Sequence, residues 1–176
     1  MNGASLAKLH NGVCIAESEV PEWDFGRLRR AIVDAVADGA RVSALFGNTA
    51  GPADAVELCA VLADDSAGLL YAAKTRVNHN DFHSLTPDCP QVHLFEREIA
   101  EQFGLRPEGH PWLKPVRFHS SQRLGHDAWE RSSTQKPIVG ATDFYRMEGE
   151  EIHEVAVGPV HAGVIEPGHF RFQCHG

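Results

Sequence analysis

The stretch PQVHLFEREIAEQFG, residues 90–104, decides the fold of this chain. Its large apolar residues recur at the three- and four-residue steps that place side chains on one face of a helix, namely Val92, Phe95, Ile99 and Phe103. Pro90 suits the first helical turn, and Asp88 is placed to cap it. Gly104 can adopt the left-handed conformation that ends a helix. The sequence therefore predicts a helix over 90–103 whose apolar face packs into a core.

The charged residues of this helix allow three interpretations. Glu96, Arg97, Glu98 and Glu101 occupy the surface that the apolar stripe leaves open. A solvated face with local ion pairs is the commonest use of such a pattern, and those pairs add little stability. Two glutamates close to His93 could instead form an acid–base site. A charged docking face for another subunit is the third interpretation.

Composition narrows the class of protein. A chain of 176 residues is long enough for one domain that buries about 70% of its unfolded surface. The net charge of −8 argues against binding to nucleic acid or to anionic lipid. No apolar run is long enough to span a bilayer, and the N-terminus lacks a signal-peptide pattern, so we expect no direct membrane insertion and a cytoplasmic location.

The four cysteines, Cys14, Cys59, Cys89 and Cys174, are widely scattered and form no C-x-x-C pair. The common iron–sulfur and structural zinc spacings are therefore missing, and free thiols are expected. Eleven histidines is a high count, and they become more frequent toward the C-terminus. A metal site assembled from distant histidines remains an alternative, although no metal-binding residue is predicted.

The chain before the central helix has the pattern of a sheet with one further helix. Strands are predicted at 12–20, 41–46, 56–63 and 69–77, and a helix at 24–37. A short Asp/Gly turn between the last two runs favours an antiparallel hairpin, although the alanines and leucines of 56–63 also allow a helix. The sequence predicts an α+β fold in two layers, with a mixed, mostly antiparallel sheet and two main helices on one face.

After Gly104 the sequence becomes rich in proline and polar residues and loses its period. Such a tail is predicted to be extended and loop-rich, and to need a surface to lie against. Alternation resumes at 152–157, which predicts a strand. The predicted domains are residues 1–115, an extended linker over 116–150, and the beginning of a second domain over 151–176.

The segment GPVHAGVIEPGHFRF, residues 158–172, is the most specific part of the sequence. Its glycines and prolines predict tight turns that present polar side chains, as a functional hairpin does. These side chains are His161, Glu166, His169 and Arg171. Because so elaborate a motif stands next to the C-terminus of the sequence, we expect the chain to be a fragment of a longer protein.

Both motifs resemble known families. HLFEREIAEQFGL, followed by Gly109-His110-Pro111, resembles the signature of the small hydrophilic 30 kDa subunit of respiratory complex I. GPVHAGVIEPGHFRF resembles the opening of the large subunit of membrane-bound, energy-converting nickel–iron (NiFe) hydrogenases such as formate hydrogenlyase. In those proteins a domain similar to the 30 kDa subunit precedes the catalytic part. Ala162 stands where the complex I pattern has proline, and this favours the hydrogenase branch.

The resemblance implies a cofactor-free scaffold that holds the hydrogenase large subunit against its iron–sulfur partner. The large subunit would lie either on the same polypeptide beyond Gly176 or on another, and membrane subunits would join through the complex. The NiFe centre and the iron–sulfur clusters would lie elsewhere in the complex, since this chain lacks the nickel-binding C-x-x-C pairs of the family. The implied place is the cytoplasmic, peripheral arm of a membrane-bound complex.

The resemblance also implies roles for individual residues. The implied subunit-interface residues are Glu96, Arg97, Glu98, Glu101 and His110, and no catalytic residue is predicted. The implied hairpin near the redox centre or the quinone site carries His161, Glu166, His169 and Arg171, although His161 could simply bond to the backbone of its own turn. Two alternatives stay open: a subunit of NADH:quinone oxidoreductase, and a stand-alone metal-dependent hydrolase that uses the histidines with Glu98 or Glu166.

Overall fold

The computed structural model describes residues 5–49, 55–132, 135–140 and 145–176. The chain divides into two compact units, Met1–Ala141 and Thr142–Gly176, which are described separately below. Among the described residues, no helix is both long enough and apolar enough to cross a membrane.

The first unit is built on a sheet with the strand order β1-β5-β4-β3. Its strands are β1 (Ala7–His10), β2 (Glu22–Trp23), β3 (Arg41–Asn48), β4 (Val56–Asp64) and β5 (Leu69–Val77). The pairs β1–β5, β5–β4 and β4–β3 are antiparallel, whereas the short β2 lies parallel to β5. A second, two-stranded parallel sheet joins β6 (Asp81–His83) to β7 (Arg106–Glu108).

Two helices form the second layer of this unit. Helix α1 (Phe25–Ala37) begins after Asp24, whose carboxylate accepts a hydrogen bond from the Arg27 N–H at 2.9 Å. Helix α2 (His93–Phe103) follows a 3-10 turn at Pro90–Val92. Both helices bury apolar side chains against β3, β4 and β5; the largest of these core residues are Leu28, Ile32, Leu58, Leu62 and Ile99. The predicted α+β class is confirmed.

The ends of α2 agree with the prediction at one end only. Gly104 adopts the left-handed conformation with φ of +61°, as predicted. Asp88 does not cap the helix, because its carboxylate pairs with Arg29 of α1 and the chain makes a 3-10 turn before α2 begins. Phe95 is half-buried rather than part of the closed core.

The predicted strand at 12–20 is wrong. The strand that pairs with β5 is β1, at Ala7–His10, and the following segment turns and forms a short 3-10 helix at Glu17–Glu19. The physical reason lies in the charges: Glu17 is drawn to Lys74 of β5, with its Oε1 3.0 Å from Nζ. The predicted strands over β3, β4 and β5 are confirmed, including the hairpin turn between β4 and β5.

The second unit is an antiparallel hairpin of β8 (Ile152–Val160) and β9 (Gly168–His175). The predicted strand at 152–157 is confirmed and is three residues longer. Val155 lies opposite Phe172 and Val157 opposite Phe170, so these four side chains share one face. The two phenylalanine rings stack with centroids 5.8 Å apart.

Candidate docking site around helix α2

The carboxylate of Glu96 holds the segment before α2. It is fully buried and accepts hydrogen bonds from the Ser84 and Thr86 hydroxyls at 2.6 and 2.5 Å. It also accepts the backbone N–H groups of Leu85 at 2.6 Å and Thr86 at 3.3 Å. Because charge-assisted bonds are stronger than neutral ones, this one side chain fixes the loop 84–86 against the helix.

Glu101 does the same for the chain that follows α2. Its carboxylate is buried and accepts three backbone N–H groups, from Val116 at 2.9 Å, Arg117 at 2.8 Å and His119 at 2.8 Å. These N–H groups belong to a bent segment without strand pairing, in which Phe118 has φ of +59°. The carboxylate therefore replaces the missing ladder and anchors the first part of the predicted tail.

Arg97 binds the same tail through its carbonyl groups. Its Nε donates to the Lys114 carbonyl at 2.7 Å and its Nη2 to the Pro115 carbonyl at 2.9 Å. Burial lowers the pKa of this guanidinium, and the nearby carboxylate of Glu101 opposes that shift. Arg97 and Glu101 thus bind one loop through opposite backbone groups, the carbonyls and the N–H groups.

The interpretation of this ionic cluster as a solvated face is wrong for three of its four residues. Glu96, Arg97 and Glu101 are buried under loops of the same chain, and Glu98 alone lies at the rim, where its Oε1 is 2.9 Å from Arg117 Nε. The acid–base interpretation also lacks geometric support. Of the two glutamates that share a face, Glu101 is buried and accepts three backbone N–H groups, and Glu98 contacts Arg117 and Gln102 rather than His93.

His110 organises the turn that covers the start of α2. Its Nδ1 accepts the Trp112 N–H at 3.0 Å, so in the neutral ring Nε2 carries the proton and donates to the His93 carbonyl at 3.2 Å. The His93 ring stacks against both neighbours, at 5.1 Å from His110 and 6.1 Å from Trp112. Burial lowers the pKa of His93, and His110 and Arg97 lower it further, whereas Glu96 opposes the shift.

Exposed apolar groups lie directly above this ionic frame. Trp112 is 55% exposed and Leu94 is 57% exposed, so more than half of each of these large apolar side chains faces outward. Between α2 and Val116 runs an open groove whose lining includes Leu94, Phe95 and Val116. The buried charges therefore position a rigid surface whose outer layer is aromatic and aliphatic.

Comparison with known proteins accounts for this arrangement. Residues 28–131 match the family described as respiratory-chain NADH dehydrogenase, 30 Kd subunit. The chain belongs to this family. The match begins in α1 and ends at Arg131, so it contains α2, both anchored loops and the turn of His110. The predicted resemblance of this part of the chain is confirmed.

One curated relative is hydrogenase-4 component G of Escherichia coli strain K12. It is 29% identical over 118 residues, which cover 61% of this chain and 21% of the relative. The chain thus spans about a fifth of that protein's length. The family region contains the five predicted interface residues, and the structure brings all five together around α2.

The hairpin residues lie outside the part that matches the family. His161 Nδ1 accepts the Gly163 N–H at 3.0 Å in its own turn, and Arg171 Nε lies 3.4 Å from Glu154 across the strands. The His169 ring packs beside Gly158, and Glu166 is exposed in the connection. These four side chains do not converge on one site within the hairpin, and their predicted place near a redox centre stays a prediction.

Arg123 is a residue of the family region that the sequence analysis did not identify. It is buried, and its Nη1 donates to the Phe103 carbonyl at 3.0 Å, one of the last carbonyls of α2. The polar segment around it therefore lies against the end of its own helix. The sequence signal for this contact was a cation placed after the C-terminus of a helix, beyond an aperiodic loop.

Metal-ligand chemistry has little support within the described part of the chain. No three side chains of His, Cys, Asp or Glu come together there in a way that could hold a metal ion. His79 and His83 have a four-residue spacing that the sequence analysis overlooked, but His83 lies in strand β6 and not on a helix. Burial raises the pKa of the Cys59 and Cys89 thiols, so neither is a ready thiolate ligand.

Proposed function

We propose that this chain is a cofactor-free scaffold subunit of a membrane-associated oxidoreductase complex. The observation that carries the proposal is the use of the charged residues of α2. Glu96, Arg97 and Glu101 form their hydrogen bonds with loops 84–86 and 114–119 of the same chain. These three charges hold the loops in a fixed position, so none of the three is free to bind or transform a small molecule.

The partner we propose is the large subunit of a nickel–iron hydrogenase, held against an iron–sulfur subunit. The relationship to a protein named hydrogenase-4 component G supports the hydrogenase branch. The resemblance of 158–172 to the opening of such large subunits supports it independently. The large subunit is carried on the same polypeptide or on a separate one. Membership in a family named for NADH dehydrogenase supports the alternative partner, the large subunit of complex I.

The residues of the docking surface have two different tasks. Glu96, Arg97, Glu101 and His110 act from beneath, because they hold the loops that carry the surface. Leu94 and Trp112 act directly, because they are exposed and apolar, with the pair of Glu98 and Arg117 at the rim. An aromatic centre surrounded by polar groups is the usual anatomy of a subunit interface.

The hairpin of the second unit fits the same proposal. A lone two-stranded hairpin is marginally stable in water. This one exposes about half of each of Val155, Val157, Phe170 and Phe172 on one face. We propose that this face is covered by the large-subunit domain, and that His161 and its neighbours lie near the electron or proton path there.

A charge placed on the docking surface tests the proposed function. We expect Leu94→Glu to reduce recovery of the partner subunits with this chain by about tenfold or more, because a carboxylate would be desolvated at the interface. The measurement is quantitative co-purification from cells that produce the complex. Val13→Glu is the matched control, since Val13 is 56% exposed on a turn after β1. Equal recovery of partners with both variants would refute docking through α2.

A further inference from the structure

We infer that the outer edge of β3 is a docking site for an extended segment of another subunit, which adds to the sheet as a further strand. The inference rests on the proposed function in one respect, because the strand comes from a second polypeptide or domain of the complex. It concerns a different surface from the one around Leu94 and Trp112.

The two edges of the main sheet are treated differently. On the side away from β4, strand β5 pairs with two short strands. Its residues 69–72 pair with β1, and Lys74 and Thr75 pair with β2. The Lys74 N–H also donates to the Pro21 carbonyl at 2.9 Å. The opposite edge strand, β3, pairs only with β4 in the part of the chain that the structure describes. The sheet thus ends in two short strands, β1 and β2, on one side and in the eight-residue β3 on the other. Very short edge strands resist further pairing, whereas a long one is open to it.

One amide at the beginning of β3 is already satisfied. The Val42 N–H donates to the side-chain oxygen of Gln91 at 2.8 Å, and the strand has a bulge between Val42 and Ala44. Past the bulge, over 44–48, no further hydrogen bond to the outer edge is found among the described residues. This run of backbone N–H and C=O groups can pair with an extended chain. A helix cannot pair with it in this way, because the backbone groups along a helix are already bonded to one another.

The bulge and the Gln91 contact protect only the beginning of β3, and the sequence past them lacks protecting side chains. Natural edge strands carry lysine, proline or inward charges that prevent pairing. Residues 42–47 contain none of these, and Arg41 at the beginning is held by Asp65 at 2.9 Å. Phe46 is 49% exposed instead. An apolar edge strand without protecting side chains is suited to bind a further strand.

A groove runs along this edge on the side of the helices. Its wall is formed by four consecutive residues, 44–47, although successive side chains of a strand point to opposite faces. Four consecutive residues can line one groove only where it follows the backbone. The opposite wall is the apolar face of α2, with Phe95, Ile99 and Phe103.

The other face of the sheet gives the incoming strand a second apolar contact. Phe46 lies beside Cys59, and Ala44 lies beside Val61, on the face away from the helices. A bound strand would therefore meet apolar side chains above and below its own plane. The chemistry predicted for the partner is an uncharged extended segment of about five residues with large apolar side chains on both faces.

Amide hydrogen exchange tests this inference on the assembled complex. In the purified full chain, we expect alternate amides of 44–48 to exchange about tenfold or more faster than those of β4, because they have no partner. In the complex, recovered through a tag on this chain, we expect the same amides to slow about tenfold or more. Unchanged exchange in a complex that contains its partner subunits would overturn the inference and leave the proposed function standing.

A guard residue provides the second arm of the test. Phe46→Lys should abolish the slowing of the β3 amides without changing the thermal midpoint of the chain, since Phe46 is half-exposed. Val13→Lys, at a comparably exposed position, should leave the slowing intact. Protection of β3 in the purified chain with a doubled native mass would assign the edge to a second copy and overturn the inference. Recovery of this chain without any other subunit would refute both the inference and the proposed function.

Discussion

Replacing Glu96 by alanine should lower the free energy of unfolding by about 3–5 kcal/mol, because several buried donors lose their acceptor at once. The carboxylate is fully buried and accepts hydrogen bonds from two hydroxyls and two backbone N–H groups of the loop 84–86. Alanine would leave these donors buried without an acceptor, and each orphaned donor costs about 1–3 kcal/mol before the loop relaxes. Urea denaturation followed by circular dichroism measures the loss.

Glu98→Ala on the same helix is the matched control. Glu98 is also a glutamate two residues away, but its side chain is 31% exposed and its partners are the rim residues Gln102 and Arg117. We expect its removal to cost less than about 1 kcal/mol, as for surface ion pairs. Equal destabilisation by the two substitutions would mean that the inward use of the Glu96 carboxylate has been misidentified.

Gly104→Ala should destabilise the chain by about 2–5 kcal/mol, the sum of conformational strain and overpacking. Gly104 has φ of +61°, where alanine is strained by about 1–2 kcal/mol. A Cβ there would also lie 2.6 Å from the backbone carbon of His126 and 2.8 Å from the backbone nitrogen of Asp127. Backbone atoms cannot turn away as a side chain can, so overpacking adds about 1–3 kcal/mol.

Gly109→Ala separates the two contributions. Gly109 has a similar conformation, with φ of +82°, but a Cβ there would have no atom within 4 Å. Its substitution should therefore cost only the conformational strain, about 1–2 kcal/mol. Thermal denaturation of the two variants side by side measures the difference. If both lose the same stability, the segment of His126 and Asp127 does not pack against the end of α2.

Local periodicity was sufficient to predict three strands of the main sheet, β3, β4 and β5, and the two helices. Helix α1, the β4–β5 hairpin and the left-handed Gly104 all follow from residues within one or two turns of each other. The first strand could not be placed in this way. Residues 12–20 alternate as well as Ala7–His10 does, and the ion pair of Glu17 with Lys74 spans 57 positions.

The candidate site shows that a charged side chain on a helix does not always face solvent. Reading a helix by its apolar stripe assigns charged residues to solvent, and this assignment failed for Glu96, Arg97 and Glu101. Their partners lie 10 to 18 positions away in loops without a period. A sequence signal for this burial did exist. The backbone N–H and C=O groups of a segment without a sheet partner, such as 114–119, must find hydrogen-bond partners elsewhere, and charged side chains can supply them.

Native mass spectrometry of the complex recovered through this chain tests the central claim most directly. Where the large catalytic subunit is a separate polypeptide, the scaffold account predicts an assembly with equal numbers of this chain and of that subunit. On dissociation, this chain should be released without the added mass of a metal ion or cofactor. Recovery of the chain only by itself, or its release with a stoichiometric metal or cofactor, would contradict the account.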